Sequence, residues 1–174
     1  MKSIAVFIFV LALTGCAGFS GQGLVPGQSS AEEVEALMGP AADTRQGPGG
    51  ETVRYYSRLP YGREMYAARI GSDGKLRALE QRLTDENVAK LRPGVSRAGD
   101  VRDLIGPPYR VDTFQRLERE VWSYKMYDRG AWPKDLYVQL SRDGIVREVI
   151  TLDDPQYSAR ATPESGARVP ILSS

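Results

Sequence analysis

Few side chains in this sequence could do chemistry, and their types narrow the possibilities before any fold is considered. The chain has 174 residues, a single cysteine at position 16 and no histidine. Without imidazole it lacks the commonest metal ligand and the general base best matched to neutral pH. A catalytic site would have to be built from carboxylates, lysines or serines. The acidic candidates have simpler explanations. Glu32 and Glu33 fall in the first turn of an expected helix, where the helix dipole favours negative charge, and Asp73 lies in Gly71-Ser-Asp-Gly74, a hairpin turn signal. No nucleophile elbow, phosphate-cradling loop or metal-ligand spacing occurs in the sequence. These features predict a protein that is not an enzyme and that needs no metal or cofactor. What remains is recognition chemistry: Tyr127, Trp132 and Tyr137 flank or occupy the loop 128–135, which carries Trp132-Pro133. Trp132 either joins Tyr127 and Tyr137 in a patch for a partner protein or lipid headgroups, or folds back over the sheet edge as a lid on the core.

The one cysteine sits behind a positive charge at Lys2 and an apolar run from Ile4 to Leu13. That run is about half of the roughly 20 residues a spanning helix needs, so residues 1–15 read as a signal peptide. The ending Leu13-Thr-Gly-Cys16 resembles a bacterial lipobox, which implies cleavage before Cys16 and a diacylglyceryl thioether on its sulfur. At about 0.8 kcal/mol per buried methylene, two or three acyl chains would tether the protein to a membrane without spanning it. Ala17 stands where enterobacterial-type lipoproteins retained in the inner membrane carry Asp. The resemblance therefore implies the outer membrane, on its periplasmic face. Residues 16–23, with Gly18, Ser20, Gly21 and Gln22, are expected to be a flexible leash. Loss of Lys2 with the signal peptide leaves 22 basic against 22 acidic residues, so no global field selects nucleic acid.

The elements that must position any recognition surface come in two copies. Leu24-Val-Pro-Gly-Gln-Ser-Ser-Ala-Glu-Glu-Val-Glu-Ala-Leu-Met-Gly-Pro40 recurs 67 residues later as Leu91-Arg-Pro-Gly-Val-Ser-Arg-Ala-Gly-Asp-Val-Arg-Asp-Leu-Ile-Gly-Pro-Pro108. An internal repeat constrains the fold more than any single residue does. In the first copy Ser29 or Ser30 can cap a helix with Glu32 or Glu33; in the second, Ser96 is expected to cap. Ala31, Val34, Leu37 and Met38 form one apolar stripe, Ala98, Val101, Leu104 and Ile105 the other, and Gly39-Pro40 and Gly106-Pro107 end the helices with an expected left-handed glycine. Strands are expected at 52–57, 65–70 and 76–83, and at 110–114, 120–127 and 136–141. The turn Ser141-Arg-Asp-Gly144 repeats the one at Asp73-Gly74 after seventy residues. Trp122, Tyr124 and Met126 alternate, as do Leu136, Val138 and Leu140, the pattern of a half-buried antiparallel sheet. The expected fold is α+β: two tandem repeats, 24–84 and 85–152, each a short helical segment on an antiparallel sheet of three to four strands. Residues 153–174, with Pro155, Pro163 and Pro170, are expected to be a disordered tail.

This pattern resembles the SmpA/OmlA (BamE) family of outer-membrane lipoproteins. The matching positions are Gly94, Ser96, Val101, Leu104, Gly106, Pro108, Trp122 and Tyr124 in the second repeat. In the first they are Gly27, Ser29, Val34, Leu37, Gly39 and Tyr56, with Arg54 in place of the tryptophan. Val95 replaces the methionine usual in that family, which usually has one such unit. The tandem resembles the architecture of the β-lactamase inhibitory protein, which presents a sheet surface to its partner. Resemblance implies a periplasm-facing lipoprotein, held by acyl chains on Cys16, that acts as a non-catalytic scaffold or adaptor in outer-membrane protein assembly or envelope maintenance through an envelope protein partner. The alternative is a protein inhibitor or ligand-binding module that uses the sheet face.

Overall fold

The computed structural model describes residues 19–157. The expected signal peptide and Cys16 lie outside the described residues. Ser30 caps α1 (Ala31–Met38): its hydroxyl accepts from the Glu33 amide at 3.2 Å, and the Glu33 carboxylate accepts from the Ser30 amide at 2.7 Å. This is a complete capping box. A short helix, α2 (Asp85–Val88), precedes α3 (Ala98–Ile105). Ser96 does not cap α3; the cap position is Arg97, whose amide donates to the Asp100 carboxylate at 2.8 Å. Ser96 instead accepts from the Arg92 amide, as Ser29 accepts from Val25, so both serines close the preceding Pro-Gly turn. Gly39 and Gly106 end the long helices at φ +82° and +84°, but with ψ extended at −169° and −177°. The expected left-handed cap is thus replaced by a conformation that is essentially glycine-only.

Each repeat carries a four-stranded antiparallel meander. The first comprises β1 (Asp43–Gln46), β2 (Thr52–Ser57), β3 (Met65–Ile70) and β4 (Leu76–Gln81); the second comprises β5 (Arg110–Phe114), β6 (Arg119–Tyr127), β7 (Pro133–Ser141) and β8 (Val146–Asp153). The fold is α+β in two repeat-like halves. The correspondence reaches single bonds. Gly27 and Gly94 donate to the carbonyls of Leu76 and Val146, Ala31 and Ala98 to those of Gly74 and Gly144, and the register shifts after Arg69 as it does after Gln139.

The halves stack in layers. On the first sheet, Tyr56, Ala68, Ile70 and Leu76 pack with Val34 and Met38 of α1. The other face, with Tyr55, Met65 and Ala67, joins a larger core containing Val101 and Ile105 of α3 and Trp122, Tyr124, Met126, Leu136, Val138 and Leu140 of the second sheet. The order is therefore α1, first sheet, α3, second sheet, with α3 gripped from both sides. Gly106 shows how closely: a Cβ there would lie 2.5 Å from Met65 Cγ, while Tyr124 donates its hydroxyl to the Gly106 carbonyl at 3.1 Å. Burial with that acceptor leaves the Tyr124 phenol neutral, its pKa pushed far up.

Both ends of the folded body extend further than composition suggests. Phe19 is packed against the first core with its ring edge-on to Tyr66 at 5.9 Å, and Arg58 stacks on it at 4.4 Å. Gly21 is buried against Leu79 and accepts a hydrogen bond from the Leu24 amide. Residues 19–23 are therefore part of the domain and not a leash. Asp153 belongs to β8, Asp154 is fully buried, and residues 155–157 are helical. The disordered reading fails for 153–157; residues 158–174 lie outside the described residues.

Candidate functional site

The β2–β3 hairpin of the first repeat and the β6–β7 hairpin of the second project at the same end of the molecule. Arg63 joins them. Its guanidinium donates to the Lys134 carbonyl at 3.3 Å and pairs with the Asp154 carboxylate, which also receives the Lys125 ammonium at 2.9 Å. Lys125 reaches Asp135 at 2.7 Å. Arg63, Asp135 and Asp154 are all buried, so this network sits in low dielectric with two positive and two negative groups. Burial alone would push the Asp154 carboxyl up, but hydrogen bonds from Lys125, Arg63 and the Gln156 amide outweigh it and hold the pKa at about 2. Lys125 is also destabilised by burial and restored by Asp135 and Asp154, with the net result upward. The chemistry is that of a clamp between repeats.

Aromatic rings surround the clamp. Tyr127 and Tyr157 both face the Arg63 guanidinium, at 5.7 and 5.1 Å, close enough for cation–π attraction. Tyr127, Trp132 and Tyr157 are nonetheless 45%, 46% and 42% exposed, and Tyr61, in the β2–β3 loop, is 100% exposed. Trp132 is therefore not a closed lid. Its loop is held by Asp128, whose carboxylate accepts from the Gly130 and Trp132 amides at 2.9 Å each.

Of the three expected recognition residues, the structure brings two together. Tyr127 pairs across the sheet with Pro133, next to Trp132, whereas Tyr137 pairs with Ser123. That is four residues along β6, or about 13 Å. Tyr137 lies on the outer face of the second sheet with Val121, Gln139 and Ile150, whose register places them opposite the core-facing row. This face is partly covered: Ser123 and Asp135 on it are buried, and Tyr137, Val121 and Ile150 are partly exposed. Sequence reasoning missed Tyr61 and Tyr157, because one sits in an unpatterned loop and the other in a proline-containing stretch.

A cleft of about 430 Å³ opens between the first sheet and α3, lined by Arg45, Arg69, Arg82, Glu51, Tyr55 and Asp103 among others. Three guanidiniums in one cleft suggest an anion site, but each already faces a carboxylate: Arg45 with Asp103 at 2.7 Å, Arg69 with Glu51 at 3.5 Å, Arg82 with Glu80 at 2.6 Å. Arg45 with Asp103, together with Arg102 and Asp43 at 3.3 Å, forms a second, charge-balanced seam between the repeats, while the Arg69 and Arg82 pairs lie within the first.

The chain matches no protein-family model and no curated protein sequence. Among solved structures it is similar to a DUF4309 family protein (YjgB) from Bacillus subtilis subsp. subtilis str. 168. Identity is 21%, coverage 76% of this chain and 84% of that one, and the TM-score 0.29. So slight a likeness carries no argument about function. Among the described residues no helix is long and apolar enough to cross a membrane.

Proposed function

We propose that this protein is a non-catalytic, lipid-anchored scaffold or adaptor at the periplasmic face of the outer membrane, serving outer-membrane protein assembly or envelope maintenance through an envelope protein partner. The observation that carries the reading is the lipobox-like Leu13-Thr-Gly-Cys16 placed three residues before Phe19, the first residue packed on the folded body. A tandem of rigidly stacked repeats with charge-balanced seams suits a structural part. The resemblance to SmpA/OmlA proteins supports the compartment and the assembly role. The test is fractionation with in-cell crosslinking of the intact protein and of Cys16→Ser. The intact protein should sediment with the outer membrane and capture an envelope protein, and Cys16→Ser should be released in soluble form. Unchanged membrane association of Cys16→Ser, or deletion that leaves the outer membrane and its barrel proteins unaltered, would sink the reading.

A second reading, a protein inhibitor or ligand-binding module, is favoured by the partly exposed row of Val121, Tyr137, Gln139 and Ile150 on the outer face of the second sheet. It requires that Tyr137→Ala abolish partner capture while Cys16→Ser spares capture by the soluble protein.

A further inference from the structure

We infer that the end of the molecule carrying Tyr61, Tyr127, Trp132 and Tyr157 lies against the lipid headgroups of the membrane to which the protein is tethered. The inference rests on the anchor at Cys16 proposed above and adds which surface the anchor presents.

Tether length comes first. Phe19 is fixed edge-on to Tyr66 and beneath Arg58, which follows directly on the end of β2. Cys16 is three residues away, and three residues of fully extended chain reach about 10 Å. A lipid on Cys16 would therefore be limited to about that distance from the β2–β3 hairpin end of the first sheet, and would bring that end near the bilayer surface.

The second observation is what that end displays. Arg63, in the same hairpin, bonds the Lys134 carbonyl and Asp154, so the β6–β7 hairpin is brought alongside. The two hairpins and the residues after β8 then present four aromatic side chains, one fully exposed and three roughly half exposed. Tyrosine and tryptophan are the side chains enriched at membrane–water interfaces, because each has an apolar body and a polar tip. The cations at this end are already engaged, Lys134 with Asp153 and Asp128, Arg129 with Glu86 at 3.0 Å and Arg58 on the Phe19 ring, so the contact rests on the aromatic side chains and not on charge.

The opposite end differs in kind. It carries the Asp-Gly turns at 71–74 and 141–144 and, at the β5–β6 connection, Phe114 and Leu117, 49% and 68% exposed, which are apolar side chains without the polar tip of tyrosine or tryptophan. Strand β6 puts this connection about 26 Å from the aromatic end. The proposal commits to bilayer contact through interfacial aromatics, without requiring a particular headgroup.

The single cysteine makes the test direct, because in lipidated protein Cys16 is consumed and an introduced thiol can be labelled alone. Lipidated Tyr61→Cys and Leu117→Cys would each carry an environment-sensitive fluorophore and be reconstituted into phosphatidylcholine vesicles with or without spin-labelled lipid. The Tyr61 position should show blue-shifted emission and severalfold stronger quenching than the Leu117 position. Replacing Trp132 and Tyr127 by serine in the Tyr61→Cys protein should reduce that quenching, with the unfolding transition recorded to show that the fold persists. Equal quenching at both positions in a lipidated protein would overturn the contact and leave the anchor standing. Free Cys16 thiol in protein isolated from membranes would overturn the anchor and the contact together. Shielding of Tyr61 that appears in native envelopes but not in protein-free vesicles would assign this end to a protein partner and overturn the proposal.

Discussion

Arg63 is held by an ion pair with Asp154, a hydrogen bond to the Lys134 carbonyl and two aromatic rings, and it belongs to a different repeat from all of them. Removing one partner from a buried ion pair leaves the other charge uncompensated, a loss of about 3–5 kcal/mol. Arg63→Ala should lower stability by an amount toward the lower end of that range, since Lys125 still reaches Asp154, and urea unfolding would measure it. Acid tests the same cluster. The folded-state pKa of Asp154 is about 2, below the ordinary 3.8, so its contribution is fully present above the ordinary value and lost as pH falls toward 2. Asp154→Asn should therefore flatten the dependence of stability on pH between about 4 and 2. A variant with the wild-type acid slope would remove Asp154 from the account. None of this was legible from sequence: Arg63 and Asp154 are ninety-one residues apart, each in a stretch without periodicity.

Helices and hairpins were legible because their signals are local. The spacing of Pro-Gly, the apolar stripe and Gly-Pro located both α1 and α3, and Asp-Gly located both final hairpins. The assignment of Ser96 as a cap failed by one residue, because a serine before a helix can close the preceding turn as readily as it can cap. Strand β1 went unseen because Asp43-Thr-Arg-Gln46 is a short polar edge strand with no apolar face to read. One signal was present and undervalued: Tyr55-Tyr56 and Ala67-Ala68 break the two-residue alternation, as strands covered on both faces do. The helix ends give a paired prediction. Gly39 and Gly106 share a backbone conformation that costs about 1–3 kcal/mol for other residues, but only Gly106 would also drive a Cβ into Met65. Gly39→Ala should cost within that range and Gly106→Ala distinctly more, as compared by chemical denaturation. Equal losses would mean that Met65 yields freely.

At the scale of the whole molecule the two repeats are separate in sequence and joined in structure. The core of the second repeat includes Tyr55, Met65 and Ala67 of the first, and α3 serves both sheets. A fragment spanning residues 24–84 should therefore fail to fold cooperatively, exposing the face that α3 covers; sharp, dispersed amide resonances from it would contradict the shared core. Sequence could establish two copies but not their stacking, since alternation shows that a face is buried without showing what buries it. The order of layers has one more consequence. In the repeat correspondence, the outer face of the second sheet is the counterpart of the first-sheet face that receives α3, with Ser123 for Tyr55, Asp135 for Met65 and Tyr137 for Ala67. A stack of this kind is open-ended, and without a terminal cap each chain would offer its last sheet to the helix of another, head to tail, without closure. The buried Asp135 bound to Lys125 makes that last face a poor seat for a helix. Ser123→Tyr combined with Asp135→Met should turn a two-repeat protein into a seed for filaments, visible as concentration-dependent growth in light scattering.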